Sequence, residues 1–534
     1  MNCLALEQAD GILLVDCGTS FPHDDLGIDV IHPDFSWLEA NAQRVHGLFL
    51  THGHEDHVGG VPYLLDALDI PIWGPPHALA VVKRRLSEHG YSPEDVVLNE
   101  AHPRRRYRVG SFEVEPIRVA HSIIEASALA VRTAAGLVLH TGDFNFDPAP
   151  PDGEPTDEAR LLALGDEGIE LLMSDSTNVD VPERPGSEAE VKHTLSRLVS
   201  NANGRVFIGL FASNLQRLRS LGEVALATGK KICLLGRSLS NQVEIGHDIG
   251  RLRWPSHLRI APEQLREWPR ERVLVLAGGS QAEPNSAMLR LAKGLHNFDS
   301  IVAGDTVILS SRVIPGNERA VAEMTCDLVR SGAQVITRHE EPGVHTSGHA
   351  GRSEQTRMLE LARPRAFLPL HGTLRHLQRH AALARELGID ECLVVENGQS
   401  VLLEDGRLRA SDVVPHGRVN VALGGEPLAL ETRGRRADLG RNGIVFVSLA
   451  VSSKRQLVSG PRVVSWGVPL VDQDESAVRS VALEVARAFE QTPSLLPQSS
   501  ALTEELRRAA RRALYDLVGF RPLVEVSVLE IDRS

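Results

Sequence analysis

Three histidines and two acids fall within six residues, His52-Gly53-His54-Glu55-Asp56-His57, directly after an apolar run. The spacing is HxHxDH. With 22 histidines in 534 residues, a chance match anywhere in the chain is of order 0.2%. Imidazole and carboxylate ligands suit Zn²⁺. His52, His54, Asp56 and His57 are too close in sequence for all four to reach one tetrahedral ion comfortably. Two ions sharing the loop is the better reading, and two ions need further ligands. His121, Asp143 and His371 each follow an apolar run. Any one of them alone would be weak. Together with the loop they complete a dinuclear set. Two metals ~3.5–4 Å apart can activate water and neutralise a phosphoryl group. A water they share would ionise near pH 7 rather than at ~15.7.

Such side chains need a rigid frame. Gly11–Val15, Gly47–Leu50, Phe112–Val119, Gly136–His140 and Ile169–Met173 read as strands. Most end in a polar cluster: Asp16, Thr51-His52, His121, Thr141-Gly142-Asp143 and Ser174-Asp175. Reactive groups gathered at strand ends on loops are a common way to build a site on a sheet. From about Ser187 to Thr337 the rhythm becomes βαβ. Helical stretches (Glu188–Ser200, Leu215–Thr228, Ala320–Ser331) alternate with buried runs (Arg205–Leu210, Lys231–Leu235, Val273–Leu276, Thr306–Leu309, Ala333–Ile336). That predicts a parallel sheet with helices on both faces. Strand-like runs return from Pro364 to Leu403. Leu408 to Asn442 is rich in Gly, Arg and Pro and reads as a linker. A small α/β module follows, with strands near Ile444–Val451, Arg462–Trp466 and Leu523–Ile531 and helices near Glu475–Glu490 and Thr503–Leu517.

At 534 residues, the chain is long enough for about three or four domains. Apolar residues make up 42% and charged residues 24%, which excludes a mainly disordered chain and a disulfide mini-protein. No apolar run approaches the ~18–20 residues of a membrane span. Met1 to Asp16 carries acids and lacks the layout of a secretory leader. The net charge of −13 excludes a uniformly basic nucleic-acid coat, though not a local basic groove. Cys3, Cys17, Cys233, Cys326 and Cys392 are scattered and form no CxxC pair. They read as reduced thiols in the cytoplasm, each a small core residue.

Other segments carry a resemblance. His345-Thr346-Ser347-Gly348-His349-Ala350 resembles the HxSGHA element of the β-CASP nuclease branch of the metallo-β-lactamase superfamily. Pro369-Leu370-His371-Gly372 resembles its PxHG element. Within that branch the chain is most similar to the ribonuclease J family. Asp16-Cys17-Gly18, Phe211-Ala212-Ser213-Asn214, Gly279 to Pro284, Ile314 to Glu318 and the C-terminal module support this. The resemblance covers nearly the whole chain. It implies an α/β fold: a metallo-β-lactamase αββα sandwich, an inserted Rossmann-like β-CASP domain and a small α/β C-terminal domain. The expected segments are 1–190 and 346–425 for the sandwich, 191–345 for the insertion, 426–441 for a linker and 442–534 for the last domain.

Position by position, the resemblance implies that His52, His54 and His121 hold one zinc. Asp56, His57 and His371 would hold the other, with Asp143 bridging; manganese is the alternative metal. Asp56 would accept or steer the proton of the attacking water, and His349 would serve the scissile phosphate. The expected activity is 5′-to-3′ exonucleolytic and endonucleolytic cleavage of RNA through a two-zinc-activated hydroxide, in RNA maturation and decay. A pocket for a 5′ monophosphate would involve Ser213, Ser347, Gly348 and His345, with Ser280 in a similar turn. Arg104-Arg105-Arg106 with Arg108 reads as a solvated loop rather than an RNA contact. A cleft between the two lobes would admit a single strand. The family also implies a homodimer or homotetramer and possible membership of an RNA-degradation complex.

The sequence departs from the family twice. A strand and Gly-rich turn expected ahead of Met1-Asn2-Cys3 are absent from it. Thr373 follows His371-Gly372 where the family usually has Glu, which bears on the orientation of His371. Competing classes are another β-CASP nuclease, a small-molecule hydrolase, a di-iron redox protein and a non-catalytic scaffold. A di-iron site would want a carboxylate at His54.

Overall fold

The structure is a computed structural model. It describes residues 1–22, 26–92, 94–184, 186–422, 424–492 and 500–531. These fall into two compact units. The larger runs to Val419; the smaller takes Asn420 onward together with a short segment ending at Asp29.

Two sheets form the base of the larger unit. The first orders its strands Leu4–Gln8, Gly11–Val15, Val45–Phe49, Ile72–Gly74 and Leu98–Glu100. The second runs Glu391–Cys392, Ala366–Leu370, Ile169–Asp175, Gly136–His140, Ser127–Thr133, Phe112–Arg118 and Tyr107–Val109. Strand side chains alternate between faces, and each sheet uses both. Leu13, Val15 and Phe49 meet Val131, Val138, Leu171 and Leu368 between the sheets. Ile12, Leu14 and Leu48 face outward onto the helices Val61–Ala67 and Pro76–Glu88. Leu139, Leu172 and Phe367 face the helices Glu158–Glu167 and Arg352–Ala362. This is the expected αββα sandwich. The sequence-read strands ending at Asp16, Thr51, His121, Asp143 and Asp175 all stand in these two sheets.

The inserted part is a six-stranded sheet in the order Arg259–Ile260, Lys231–Leu235, Val273–Ala277, Val206–Gly209, Thr306–Leu309, Gln334–Ile336. Every pairing in it is parallel. Val206, Ile208, Leu274 and Leu276 bury into one helical layer, and Phe207, Val273 and Val275 into the other. Burying one such side chain is worth about 1.5–3 kcal/mol, so both faces must be covered, as the βαβ rhythm requires.

The smaller unit holds the sheet Leu457–Trp466, Ile444–Val451, Leu523–Glu530. Val445, Val447 and Leu449 pack on Val481, Val485, Leu502 and Leu506 of the helices Glu475–Gln491 and Ser500–Val518.

Four readings need correction. Leu4–Gln8 is a strand, antiparallel to Gly11–Val15, that the sequence reading passed over. The Pro364–Leu403 region is not all strand: Leu374–Glu386 is a helix capped by Thr373, whose Oγ1 accepts from His376 N. The expected linker is not irregular either. It contains the strands Arg407–Val413 and Arg418–Ala422 and the helix Leu430–Asn442. That helix buries none of its residues, so it lacks the apolar stripe by which helices are read. Arg436 Nη1 ties it to the carbonyls of Leu26 and Gly27 at 2.9 and 3.1 Å. Finally, Cys17 and Cys233 are core residues, but Cys3 and Cys326 are exposed; all five are free thiols. Among the described residues, no helix is long and apolar enough to cross a membrane.

Candidate metal centre

The HxHxDH loop leaves the strand Val45–Phe49 and turns at Thr51. Asp16 fixes that turn. Its Oδ1 accepts from Thr51 N at 2.7 Å, and its Oδ2 accepts from Thr51 Oγ1 at 2.7 Å and His57 Nδ1 at 2.8 Å. Asp16 takes φ +59° to do so, a conformation costly for a residue other than Gly. Gly18 behind it cannot be replaced, because a Cβ would stand 1.7 Å from Asp56 O. The short helix Glu55–Val58 then places Asp56 and His57.

The other side chains arrive from the second sheet. His121 follows Phe112–Arg118, Asp143 follows Gly136–His140, and His371 follows Ala366–Leu370. Ligand atoms of His52, His54, His121 and Asp143 converge within 4.8 Å of one another, as do those of Asp56, His57 and Asp143. The HxHxDH residues, His121 and Asp143 therefore meet at one place, with Asp143 common to both groups. His371 joins through Asp143, its Nδ1 2.9 Å from Oδ1. Thr373, near it in sequence, spends its hydroxyl on the helix cap.

Hydrogen bonds fix which nitrogens face inward. His52 Nδ1 lies 3.0 Å from Thr51 Oγ1, whose own proton goes to Asp16, so His52 Nδ1 donates. His121 Nδ1 donates to Gly348 O at 2.7 Å. The Nε2 atoms of both rings are therefore bare. Each lies 3.1 Å from His54 Nδ1. Burial, above all, holds these rings neutral: His54 falls to about 3, His121 to about 4, and His52 well below its usual value. Three close nitrogens thus share at most one proton. A cation resolves that conflict. Neighbouring ligands on a tetrahedral zinc would stand about 3.3 Å apart, given Zn–N bonds of ~2.0–2.1 Å. In the second group, His57 Nε2 lies 3.3 Å from Asp143 Oδ2 and 3.6 Å from Asp56 Oδ2. Burial disfavours a proton on His57, but Asp143, Asp56 and Asp16 raise its pKa well above normal. This field draws positive charge. The donor set fits a metal. Asn2 Nδ2 sits 2.9 Å from His57 Nε2 and must turn aside for a metal there.

His349 stands at the rim. Its Nδ1 lies 2.8 Å from Asp175 Oδ2 and 3.8 Å from Asp143 Oδ2. Burial opposes its charge, yet Asp175 and Asp143 raise its pKa to about 9. Asp175 is a residue to which sequence reasoning gave no role. Its only signal was its place in the polar cluster ending a strand. Asn178, three residues on, donates from Nδ2 to Ser347 Oγ at 2.9 Å and His349 O at 3.0 Å. Gly348 must be glycine, since a Cβ would meet Ser122 Oγ at 2.6 Å and His121 Cε1 at 2.7 Å.

The other expected pocket residues lie toward the inserted sheet. His345 is half-buried against Phe211, with ring centroids 6.5 Å apart. Burial first, then the charges of Arg217, Arg338 and Arg312, push its pKa far down. Its Nδ1 has no partner, and neither do Thr346 Oγ1 and Ser280 Oγ. Ser213 lies on the turn just before the helix Leu215–Ala227. Three of the four arginines of the basic run are held in surface contacts. Arg104 grips Asp157 at 2.7 and 2.8 Å, Arg106 reaches Glu113 at 3.0 Å, and Arg108 bonds Gly110 O.

Family models match along the chain. The metallo-beta-lactamase superfamily matches 2–179, the ribonuclease J beta-CASP domain 203–328, the Zn-dependent metallo-hydrolase RNA specificity domain 341–395, and the ribonuclease J C-terminal domain 434–531. Ribonuclease J 1 of Streptococcus pyogenes serotype M3 is 35% identical over 100% of this chain and 96% of its own. Ribonuclease J of Mycolicibacterium smegmatis is 36% identical over 99% and 95%. A crystal structure of a protein of unknown function from Enterococcus faecalis shares the fold, with TM-score 0.52, 16% identity and coverage of 77% and 96%.

Fold and site together define a metallo-hydrolase of the metallo-β-lactamase superfamily with a β-CASP insertion. Within that class, the chain belongs to the ribonuclease J family of metal-dependent ribonucleases.

Proposed function

We propose that the chain digests single-stranded RNA from a 5′ monophosphate in the 5′-to-3′ direction and also cuts internally, using two metal ions, zinc or manganese. The observation that carries this reading is the double cluster around Asp143 with His349 at its rim. His52, His54 and His121 would hold one ion and Asp56, His57 and His371 the other, with Asp143 between them. When bound, such ions supply charge neutralisation and a nucleophile drawn from water at neutral pH.

The chain's own groups do the rest. Asp56 has half its side chain open to solvent and can take the proton of the attacking water. His349 is bound to Asp175 through Nδ1, so Nε2 is free to donate to the phosphate or to the departing 3′ oxygen. The charge of Asp175 keeps His349 protonated for that task. Ser213, Ser347, the Gly348 backbone and His345 would receive the 5′ phosphate. The unpartnered polar atoms of His345, Thr346 and Ser280 support that assignment.

Exposed Phe446 and Trp466 on the C-terminal sheet support a dimer or tetramer through that unit. Action in the cytoplasm, within a degradation complex, completes the reading.

The test is digestion of a 3′-labelled RNA bearing a 5′ monophosphate, triphosphate or hydroxyl, beside its DNA counterpart. Rapid processive loss of the monophosphate RNA, abolished by a chelator, is expected. Internal cuts regardless of the 5′ end would leave only the endonuclease.

A further inference from the structure

We propose that Arg312 is a positioning residue for RNA cleavage: from the inserted domain it orients Asn178, and Asn178 orients the loop carrying His349. The inference rests on the role given to His349 above.

Asn178 is buried. Its Oδ1 accepts from Arg312 Nη1 at 2.9 Å. A guanidinium has no acceptor, so it can face only the amide oxygen. The Nδ2 is thereby turned toward Ser347 Oγ and His349 O. A flipped amide would set donor against donor at Arg312. Asn178 also bridges to the backbone of Gly351, and Asp175 of the same turn binds His349 Nδ1. The turn 175–178 thus grips the segment 347–351 at several points, and Arg312 locks the amide among them.

Arg312 is itself held. Gln281 Nε2 donates to Arg312 O at 2.9 Å, while Gln281 Oε1 accepts from Ile314 N at 2.7 Å. Both Gln281 and Arg312 belong to turns at strand ends of the inserted sheet. The chain of contacts therefore runs from the inserted domain to His349, linking the lobe that would grip the RNA to the group that serves its phosphate.

The rival is a direct contact of Arg312 with an RNA phosphate. Steady-state cleavage of 5′-monophosphate RNA and the salt dependence of RNA binding separate the two, using the wild type, R312A, N178A and the double variant. Positioning predicts that R312A lowers kcat about 10- to 100-fold with little change in KM, the scale of a small misplacement. The double variant should then be no worse than the worse single variant. R312K, which can still donate to Asn178, should recover part of kcat. The salt slope of binding should not change. If N178A melts early, N178D keeps the acceptor for Arg312 but removes the donor to Ser347 and His349, and should lose kcat alike. Multiplying losses in the double variant would overturn the proposal. So would a rise in KM with a salt slope smaller by about one, the mark of a lost phosphate contact. A wild type that cleaves no RNA would instead sink the functional reading on which the proposal rests.

Discussion

The segment His345–His349 joins two regions built on opposite rules. At its His349 end, polar groups are pinned to one another. His52, His57 and His121 each tie their outer nitrogen to a threonine, an aspartate or a backbone carbonyl. At its His345 end, His345 Nδ1 and Thr346 Oγ1 are buried with no partner in the protein, as is the Ser280 hydroxyl in a turn of the inserted domain. Leaving a buried polar atom unpaired costs about 1–3 kcal/mol. On the proposed reading, the difference follows from what each region would receive. A compact cation demands ligands fixed to within a fraction of an ångström, so their orientation is secured in advance. A phosphate brings many acceptors and can satisfy waiting donors when it arrives.

The sharpest way to break this contrast is at its pinned end. D143N removes the carboxylate shared by both groups, and H52A removes one of the bare nitrogens. Either should lower RNA cleavage by about 1,000-fold or more, the scale of several kcal/mol of lost charge stabilisation. Metal content measured on the purified protein should fall in parallel. Full activity in either variant would remove the cluster from the chemistry. D175N comes next. It leaves the proposed ligands in place but removes the charge that holds the His349 proton. A fall in kcat of about 100- to 1,000-fold is expected, within the range of general acid–base catalysis, with metal content unchanged. Loss of metal in D175N would show that Asp175 serves the ions instead.

A milder perturbation tests the outer partners. D16N keeps the size of Asp16 but weakens its hold on Thr51 and His57. Such outer groups are worth about 10- to 100-fold in metal affinity. Titration with a competing chelator should reveal that loss, and excess metal should restore activity. Failure of metal to rescue would mean that Asp16 supports the fold rather than the ligands.

What could be read from the sequence follows from distance along the chain. The HxHxDH loop announces itself because its candidate ligands are neighbours. His121, Asp143 and His371 are visible because each ends an apolar run. The contacts that orient them are long-range: His57 and Asp16 lie 41 residues apart, His349 and Asp175 174 apart, and Asn178 and His349 171 apart. No local pattern encodes such a pair. The inserted sheet was legible because strands such as Val206–Gly209 are buried on both faces. Leu430–Asn442 was not, because a helix that buries nothing has no apolar period. Leu4–Gln8 is only partly buried and gives little more.

The smallest expected effect sharpens the contrast at its unpinned end. Ser280 is buried and its hydroxyl finds no partner. S280A removes a polar atom that the free protein pays to bury, so the melting temperature should hold or rise slightly. In contrast, D16N leaves formerly bonded donors on Thr51 and His57 less well satisfied, and should lower it. If the Ser280 hydroxyl meets the 5′ phosphate, S280A should also lose a hydrogen bond to a charged group, worth about 1.5–3 kcal/mol at most. The preference for monophosphate over hydroxyl RNA should then shrink by about tenfold, while cleavage of the hydroxyl RNA stays as it was. A drop on both substrates alike would place Ser280 in the fold or the chemistry. A lower melting temperature would show that its hydroxyl already has a partner, and the two ends of the segment would then follow one rule.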